Sequence, residues 1–394
     1  MIRAAVGLSR EPGSARAALA AARELLGRID GEGDAVDWAI AFVTPEHLEH
    51  LSAIQDALSG ALGTPYVVGC SAAGVLAGDT EIEQGPGLTV LGVRSDQLRA
   101  TPFLFHDEGD QGMTAGVRLG QRMLGSRDSA DLLLAWPDAF RVRPDRLLQG
   151  LDAVLRDVPV LGGASSSRDA DQDTLQFCGA EISSGAVAGL RLAGGFRHVV
   201  GITQGCRPLG DPLRVTRAHD NLILELEGRP ALDVLRERAP KGLMEDPERA
   251  FHFLFVGLVP EGPRSPSWTG EYLIRNVVAH DPDTGVLAIA DHVEEGQHLL
   301  FAHREANSAR ADLSRLAESV APERTGLRYR FGLYFNCLAR GQSLYGEPGV
   351  DAATLSRALP GVPLAGFFCG AELAPLGGSN QLFTYTGVLL LVAE

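Results

Sequence analysis

Two short segments combine thiols with charge where strands should end. Cys337-Leu-Ala-Arg340-Gly341 follows the apolar run FGLYF (331–335), so a thiol and a guanidinium fall at a strand terminus, where α/β sheets commonly bind ligands. An arginine can grip a carboxylate with two parallel hydrogen bonds, and its charge lowers the pKa of a nearby thiol. Cys369-Gly370-Ala371-Glu372 ends the next strand and should face the same pocket. The blander reading makes these thiols inert and pairs Arg340 with Glu372.

A third candidate is Gly69-Cys70-Ser71-Ala72-Ala73-Gly74. Small residues at a strand end leave successive backbone amides open, and such amides can cradle a carboxylate or phosphate. The alternative is a tight turn that only permits close packing. Gly162-Gly163-Ala164-Ser165-Ser166-Ser167 offers a matching turn with three hydroxyls. Nucleophilic catalysis is not indicated: GCSAAG is not a GxSxG elbow, and no base stands near Ser71 or Cys70 in sequence. The ligand-binding set is therefore Gly69, Cys70, Ser71, Gly74, Cys337, Arg340, Gly341, Cys369, Gly370 and Glu372, with no catalytic and no metal-ligating residue, and the chain is expected not to be an enzyme.

Cys178 and Cys206 read as packing residues, and the five cysteines show neither CxxC spacing nor the CxxCH haem-attachment motif. Reduced thiols in a cytoplasm follow. His106, His198, His219, His252, His280, His292, His298 and His303 could each offer an imidazole, but none has metal-like spacing on a helix face. Asp281-Pro-Asp-Thr-Gly285 resembles a calcium loop without its distal glutamate, and reads as a hairpin turn.

One pattern that could position these residues recurs three times: strand, helix, strand, glycine-rich turn, strand. The first copy runs AIAFV (39–43), a helix over 45–62, an extended 65–69 and a closing strand 87–93. The second uses LLLAW (132–136), a helix over 144–156, 159–163 and 185–190; the third uses FGLYF (331–335), a helix over 351–359, 363–366 and 387–392. Apolar runs this short, bounded by Gly or Pro and separated by amphipathic helices, indicate buried strands in an α/β layer structure. In the first helix Leu48, Leu51, Ile54, Ala57, Leu58 and Leu62 form one apolar stripe. Each closing strand begins after a glycine and should return antiparallel, giving mixed sheets flanked by helices.

Between the second and third copies, strands are expected at 214–217, 221–226, 251–256, 272–278, 285–290 and 298–303, with a helix from Arg229 to Arg238 and another over 309–320. They form a second domain's sheet. The Gly/Pro-rich joint at 210–212 divides the chain into domains 1–211 and 212–394, and the proline-rich 260–267 reads as a surface loop.

At 394 residues two domains are the natural expectation. A formal charge of −15 opposes nucleic-acid binding, and Arg141, Arg143 and Arg146 read as a solvated helix start. No run of about 18 apolar residues occurs, so no membrane insertion is expected.

The order and spacing of several motifs resemble the FIST family over nearly the whole chain. They are VVGCSAAGVL (67–76), EIEQGPGLTVL (81–91), QGCRPLG (204–210), VTRAHDNLILELEGRPALDVL (215–235), YLIRNVVAHDPDTGVLAIADHVEEG (272–296), FNCLARG (335–341) and GFFCGAEL (366–373). The resemblance implies a FIST N and a FIST C half, and a sensory role in binding a small, amino-acid-like or anionic ligand. It further implies output through a separate signalling protein of kinase, cyclase or chemoreceptor type. Some relatives are thought to bind haem, which leaves a haem- or thiol-based gas or redox sensor as one alternative and a ligand-free protein-recruiting scaffold as another. No sequence feature here points to a haem ligand.

Overall fold

A computed structural model describes residues 1–29, 35–107, 109–124, 132–155, 157–169, 172–260 and 272–394. The threefold pattern is present. Each copy opens with a strand buried along almost its whole length: Trp38–Val43, Leu132–Pro137 and Tyr329–Cys337. Continuous apolar runs of this kind have both faces covered.

A helical segment follows each strand. In the first copy a 3-10 turn, Pro45–His50, leads into Leu51–Leu62, whose Leu51, Ile54, Leu58 and Leu62 are buried at helical spacing. Gly63 stops that helix in the left-handed conformation at φ 66°. The other two helices are Pro144–Asp152 and Val350–Ala358.

The chain then returns as a parallel partner, Val67–Ser71, Val160–Gly163 or Leu364–Cys369. One glycine recurs in each: Gly69, Gly162 and Gly366 lie opposite Ala41, Ala135 and Tyr334. A Cβ there would fall 1.7, 1.9 and 1.9 Å from the carbonyl oxygens of those three partners, so no larger residue fits. The closing strands Leu88–Ser95, Ala186–Gly194 and Thr386–Ala393 run antiparallel to the openers, which makes the sheets mixed as expected.

Between the parallel and closing strands each copy extends a hairpin that leaves its own sheet. The hairpin of Val75–Ala77 and Thr80–Ile82 from the first copy pairs with Leu364–Cys369 of the third. That of Gln176–Cys178 and Glu181–Ser183 from the second pairs with Val67–Ser71 of the first. That of Glu372–Leu376 and Ser379–Phe383 from the third pairs with Val160–Gly163 of the second. Three six-stranded sheets are thus joined in a closed cycle of exchanged hairpins. Phe42, Trp136 and Phe335, one residue beyond the recurring partners, are buried; Phe42 meets the Trp136 edge at 5.4 Å and Phe367 at 4.4 Å, and Phe335 meets Phe367 at 5.8 Å.

The cycle forms one compact unit of Met1–Ile202, Leu313–Leu382 and Thr386–Glu394; Thr203–Asp312 with Phe383–Tyr385 forms the other. The sequence division at 211/212 is a different partition, between linear halves.

The second unit carries Leu213–His219, Leu222–Leu226, Leu254–Leu258, Leu273–Asp281, Val286–Ile289 and His298–Arg304 in one sheet, with antiparallel pairings. The strand expected from Phe251 starts at Leu254, because Asp246 caps a short helix, Pro247–Ala250, whose turn continues through Phe253. Asp281-Gly285 is a hairpin turn in which Asp281 accepts from the Asp283 amide at 2.9 Å and the Thr284 hydroxyl at 2.6 Å. The proline-rich loop lies outside the described residues from 261 onward.

Candidate functional site

All ten sequence-selected residues belong to the first compact unit. The exchange of hairpins brings their turns together. Ser166 of the second copy bridges the other two, accepting from the Ala73 amide at 2.9 Å and donating to the Phe368 carbonyl. Phe368 N–H donates to Gly74 O at 2.9 Å, Gly370 N–H to Ala164 O at 3.0 Å, and Ala164 N–H to Ala371 O at 2.8 Å. The three strand-end turns therefore form one bonded cluster.

Within it, the amides of Ser71, Ala72 and Ala73 are committed to Leu175 O, Val43 O and Ser166 Oγ. The Ser71 hydroxyl accepts from Leu175 N–H, Ser165 Oγ donates to Pro137 O, and Ser167 Oγ to Gln172. The Ser71 and Ala73 bonds join the first copy to the second, while the others brace each turn within its own copy. Gly74 has Ile82 O at 2.7 Å and Phe368 at 2.9 Å from a would-be Cβ, while Gly341, at φ 61°, has Glu83 at 2.5 Å. Both positions require glycine.

The two strand-end segments divide between separate polar clusters. Arg340, fully buried, donates from Nη2 to Asp351 Oδ1 at 2.7 Å, from Nε to Asp351 Oδ2 at 3.2 Å, and from Nη2 to the Tyr345 hydroxyl at 2.6 Å. Asn336 and Tyr345 also donate to Asp351, both at 3.0 Å. Arg340 thus pairs with Asp351 and not with Glu372. Burial works against its charge, but the Asp351 carboxylate more than offsets this and holds the guanidinium well above its ordinary pKa. Arg340 Nη1, Asn336 Oδ1 and Tyr334 OH are buried there without a partner. Beside them Glu81, from the first copy's exchanged hairpin, accepts from Ala352 N–H at 2.8 Å and Gly349 N–H at 3.0 Å; burial and then the Asp351 charge push it up to about 7.

Cys337 and Cys369 are register partners on parallel strands, and both thiols bond the buried carboxyl of Glu372. Cys369 Sγ is 3.3 Å from Glu372 Oε1, and Thr386 donates its hydroxyl to Oε2 at 2.6 Å. Burial raises Glu372 to about 7, against these hydrogen bonds. Burial first, then the Glu372 charge, pushes the Cys369 thiol up, and burial does the same at Cys70. The Arg340 charge that was expected to activate a thiol is held instead by Asp351. Of the ten residues only Gly370 is exposed, with room beside it: a Cβ there would meet Ser165 O at 3.6 Å and Ala139 Cβ at 3.7 Å. Leu338, whose amide donates to Cys369 O, is a neighbouring exposed apolar side chain.

Sequence reasoning missed Asp351 and Thr386, and it read Ser166 only as one of three hydroxyls in the matching turn, not as the bridge between the other two copies. Asp351 reads as an ordinary first-turn helix acid, and Thr386 as the start of a strand. Among the described residues no three His, Cys, Asp or Glu side chains converge to hold a metal ion. Of the candidate histidines, His106 pairs with Glu181 at 2.8 Å on the surface, and His280 stacks on Phe251 at 5.0 Å. No helix among the described residues is long and apolar enough to cross a membrane.

The FIST N domain model matches residues 37–229 and the FIST C domain model residues 231–375. An uncharacterized protein of Mycobacterium bovis is 32% identical over 395 residues, covering 100% of this chain and 99% of its own length. Another, of Mycobacterium tuberculosis, is 31% identical over 393 residues, covering 100% of both. Among solved structures, a chorismatase aligns over 100% of this chain and 99% of its own, with 9% identity and a TM-score of 0.35. A cyanuric acid hydrolase from A. caulinodans aligns over 48% and 71%, with 13% identity and a TM-score of 0.24. Structural similarities of that size define neither the fold nor the chemistry of this chain. The two matched domains and the full-length relatives show that the chain belongs to the FIST family.

Proposed function

We propose that this chain is a sensory protein that binds a small amino-acid-like or anionic ligand at the three-turn cluster and passes that state to a separate signalling protein of kinase, cyclase or chemoreceptor type. The ligand docks at the mouth over Gly370. Glu372 and the thiols of Cys337 and Cys369 lie beneath it, Gly69, Cys70, Ser71 and Gly74 form the adjoining turn, and Arg340 with Gly341 holds the loop that carries Cys337.

One observation carries the reading. The exposed Gly370 belongs to a turn tied by backbone hydrogen bonds to the second copy and, through Ser166 and Phe368, to the first. A ligand that displaces this turn acts on all three copies and on both family halves. It shifts their equilibrium only by its difference in affinity for the two states, about 1.4 kcal/mol for each tenfold preference. The role is binding, without a catalytic step, in keeping with thiols whose protons burial retains.

A thermal-shift screen of amino acids and organic acids tests this. At least one compound is expected to raise the melting temperature in a saturable way. A screen in which no member shifts it at millimolar concentration overturns the proposal.

A further inference from the structure

The net charge of −15 makes a local gathering of arginines unusual on this chain. One occurs at the opposite end of strand Tyr329–Cys337 from the turn cluster. Arg330 and Cys337 are seven residues apart, about 23 Å along an extended strand. A cavity of about 700 Å³ there is lined by Arg3, Arg28, Arg328 and Arg330. Spaces of roughly 300 to 1,000 Å³ take small organic ligands.

The four cations are not equally neutralised. Arg28 pairs with Glu24 at 2.7 Å, and Arg330 with Glu394. The Arg330 Nε is nevertheless buried without an acceptor. Arg3 and Arg328 have no ion-pair or side-chain hydrogen-bond partner among the described residues, although Arg3 exerts a weak pull on the exposed Asp96. Among the described residues the cavity therefore keeps two guanidinium groups outside any ion pair, which suits a dianion.

The backbone adds donors. Ile2–Ser9 is an edge strand, paired on one side only with Leu88–Ser95. Two amides on its free edge already hold carboxylates: Ile2 N–H donates to Glu394 and Leu8 N–H to Glu24, the latter at 2.8 Å. In an unbroken antiparallel ladder alternate residues point their amides the same way, so those of Ala4 and Val6 share this edge. Neither donates to a side chain, and both residues line the cavity.

We propose that this cavity binds an organic phosphate of nucleotide size, its phosphate oxygens held by Arg3 and Arg328 and by the edge-strand amides of Ala4 and Val6. A phosphate matches the two unpaired guanidinium forks in charge, and its oxygens can take parallel hydrogen bonds from them. This site is separate from the three-turn cluster and stands or falls without it.

Calorimetric titration of the full chain with ADP, pyrophosphate and adenosine tests the assignment. ADP and pyrophosphate are expected to bind and adenosine not to. Raising salt from about 50 to 200 mM should weaken both phosphates several-fold, because the contacts are ionic. Arg328→Ala, at an exposed position, and Arg3→Ala should each weaken ADP at least tenfold. Arg324→Ala, an exposed arginine outside the cavity, should leave binding unchanged. Failure of ADP and pyrophosphate to bind at millimolar concentration overturns the proposal. So does equal binding of adenosine, or unaltered ADP affinity in both cavity variants. Should Arg3→Ala fail to fold, Arg328→Ala alone decides.

Discussion

Two buried polar clusters at one end of strand Tyr329–Cys337 meet burial in opposite ways. Around Asn336 a guanidinium and a carboxylate share two hydrogen bonds, and the carboxylate holds the buried Arg340 guanidinium in its charged form. Around Cys337 a single carboxyl, Glu372, has thiols and a hydroxyl for company and no cation, and its pKa rises to about 7 instead. A paired charge makes a fixed brace, whereas an unpaired one makes a group whose protonation answers to its surroundings. The brace fixes the loop at 337–341 to the helix Val350–Ala358. The responsive group lies beneath the turn that is open to solvent.

The contrast can be broken most forcefully at the brace. Asp351→Ala leaves Arg340 buried and unpaired, and is expected to lower stability by about 3–5 kcal/mol in urea unfolding. A loss under about 1 kcal/mol would mean that Arg340 is solvated and the two clusters do not differ.

The responsive cluster makes a pH prediction. Above pH 4.5 an unfolded glutamate is ionised while folded Glu372 retains its proton up to about 7, so the native state binds more protons. Stability must then fall as pH rises from about 4.5 to 7, by up to roughly 3 kcal/mol from this residue. Glu81 acts in the same direction. Glu372→Gln should flatten the slope of melting temperature against pH without abolishing it, and the Glu81→Gln double variant should flatten it further. An unchanged slope in both variants refutes the assignment.

A smaller effect is expected where the turns are joined. Ser166→Ala removes the acceptor of the buried Ala73 amide and the donor to Phe368 O, and should lower stability by about 1–3 kcal/mol. No measurable change would show that the turns are held by packing alone. Smallest of all, Gly370→Trp should alter stability by less than about 0.5 kcal/mol, since this glycine is exposed and a Cβ there would make only ordinary van der Waals contacts. A substantial loss there would show the mouth to be packed.

The three copies were legible because strands buried on both faces must be apolar runs, and FGLYF, LLLAW and AIAFV are such runs. Antiparallel closure was legible from the glycines before each closing strand. The exchanged hairpins were not: Val75–Ala77 and Gln176–Cys178 are three residues long, and alternation over three residues carries no signal about which sheet receives them. The site was half legible. Thiol, arginine and acid at strand ends marked where polar chemistry gathers. Spacing could not reveal that Asp351, eleven residues beyond Arg340 and in the first turn of a helix, captures the guanidinium and separates it from the thiols. Nor could it show that Ser166, alone of the three serines of the second turn, bonds to both neighbouring turns, because its partners Ala73 and Phe368 are distant in sequence.

The claim that a ligand enters over Gly370 is tested most directly by calorimetric titration of the strongest thermal-shift compound into wild-type protein and Gly370→Trp. Saturable binding to the wild type and at least tenfold weaker binding to the variant are expected, with the two melting at the same temperature when ligand-free. Equal affinity in two equally stable proteins would contradict it and place the ligand elsewhere.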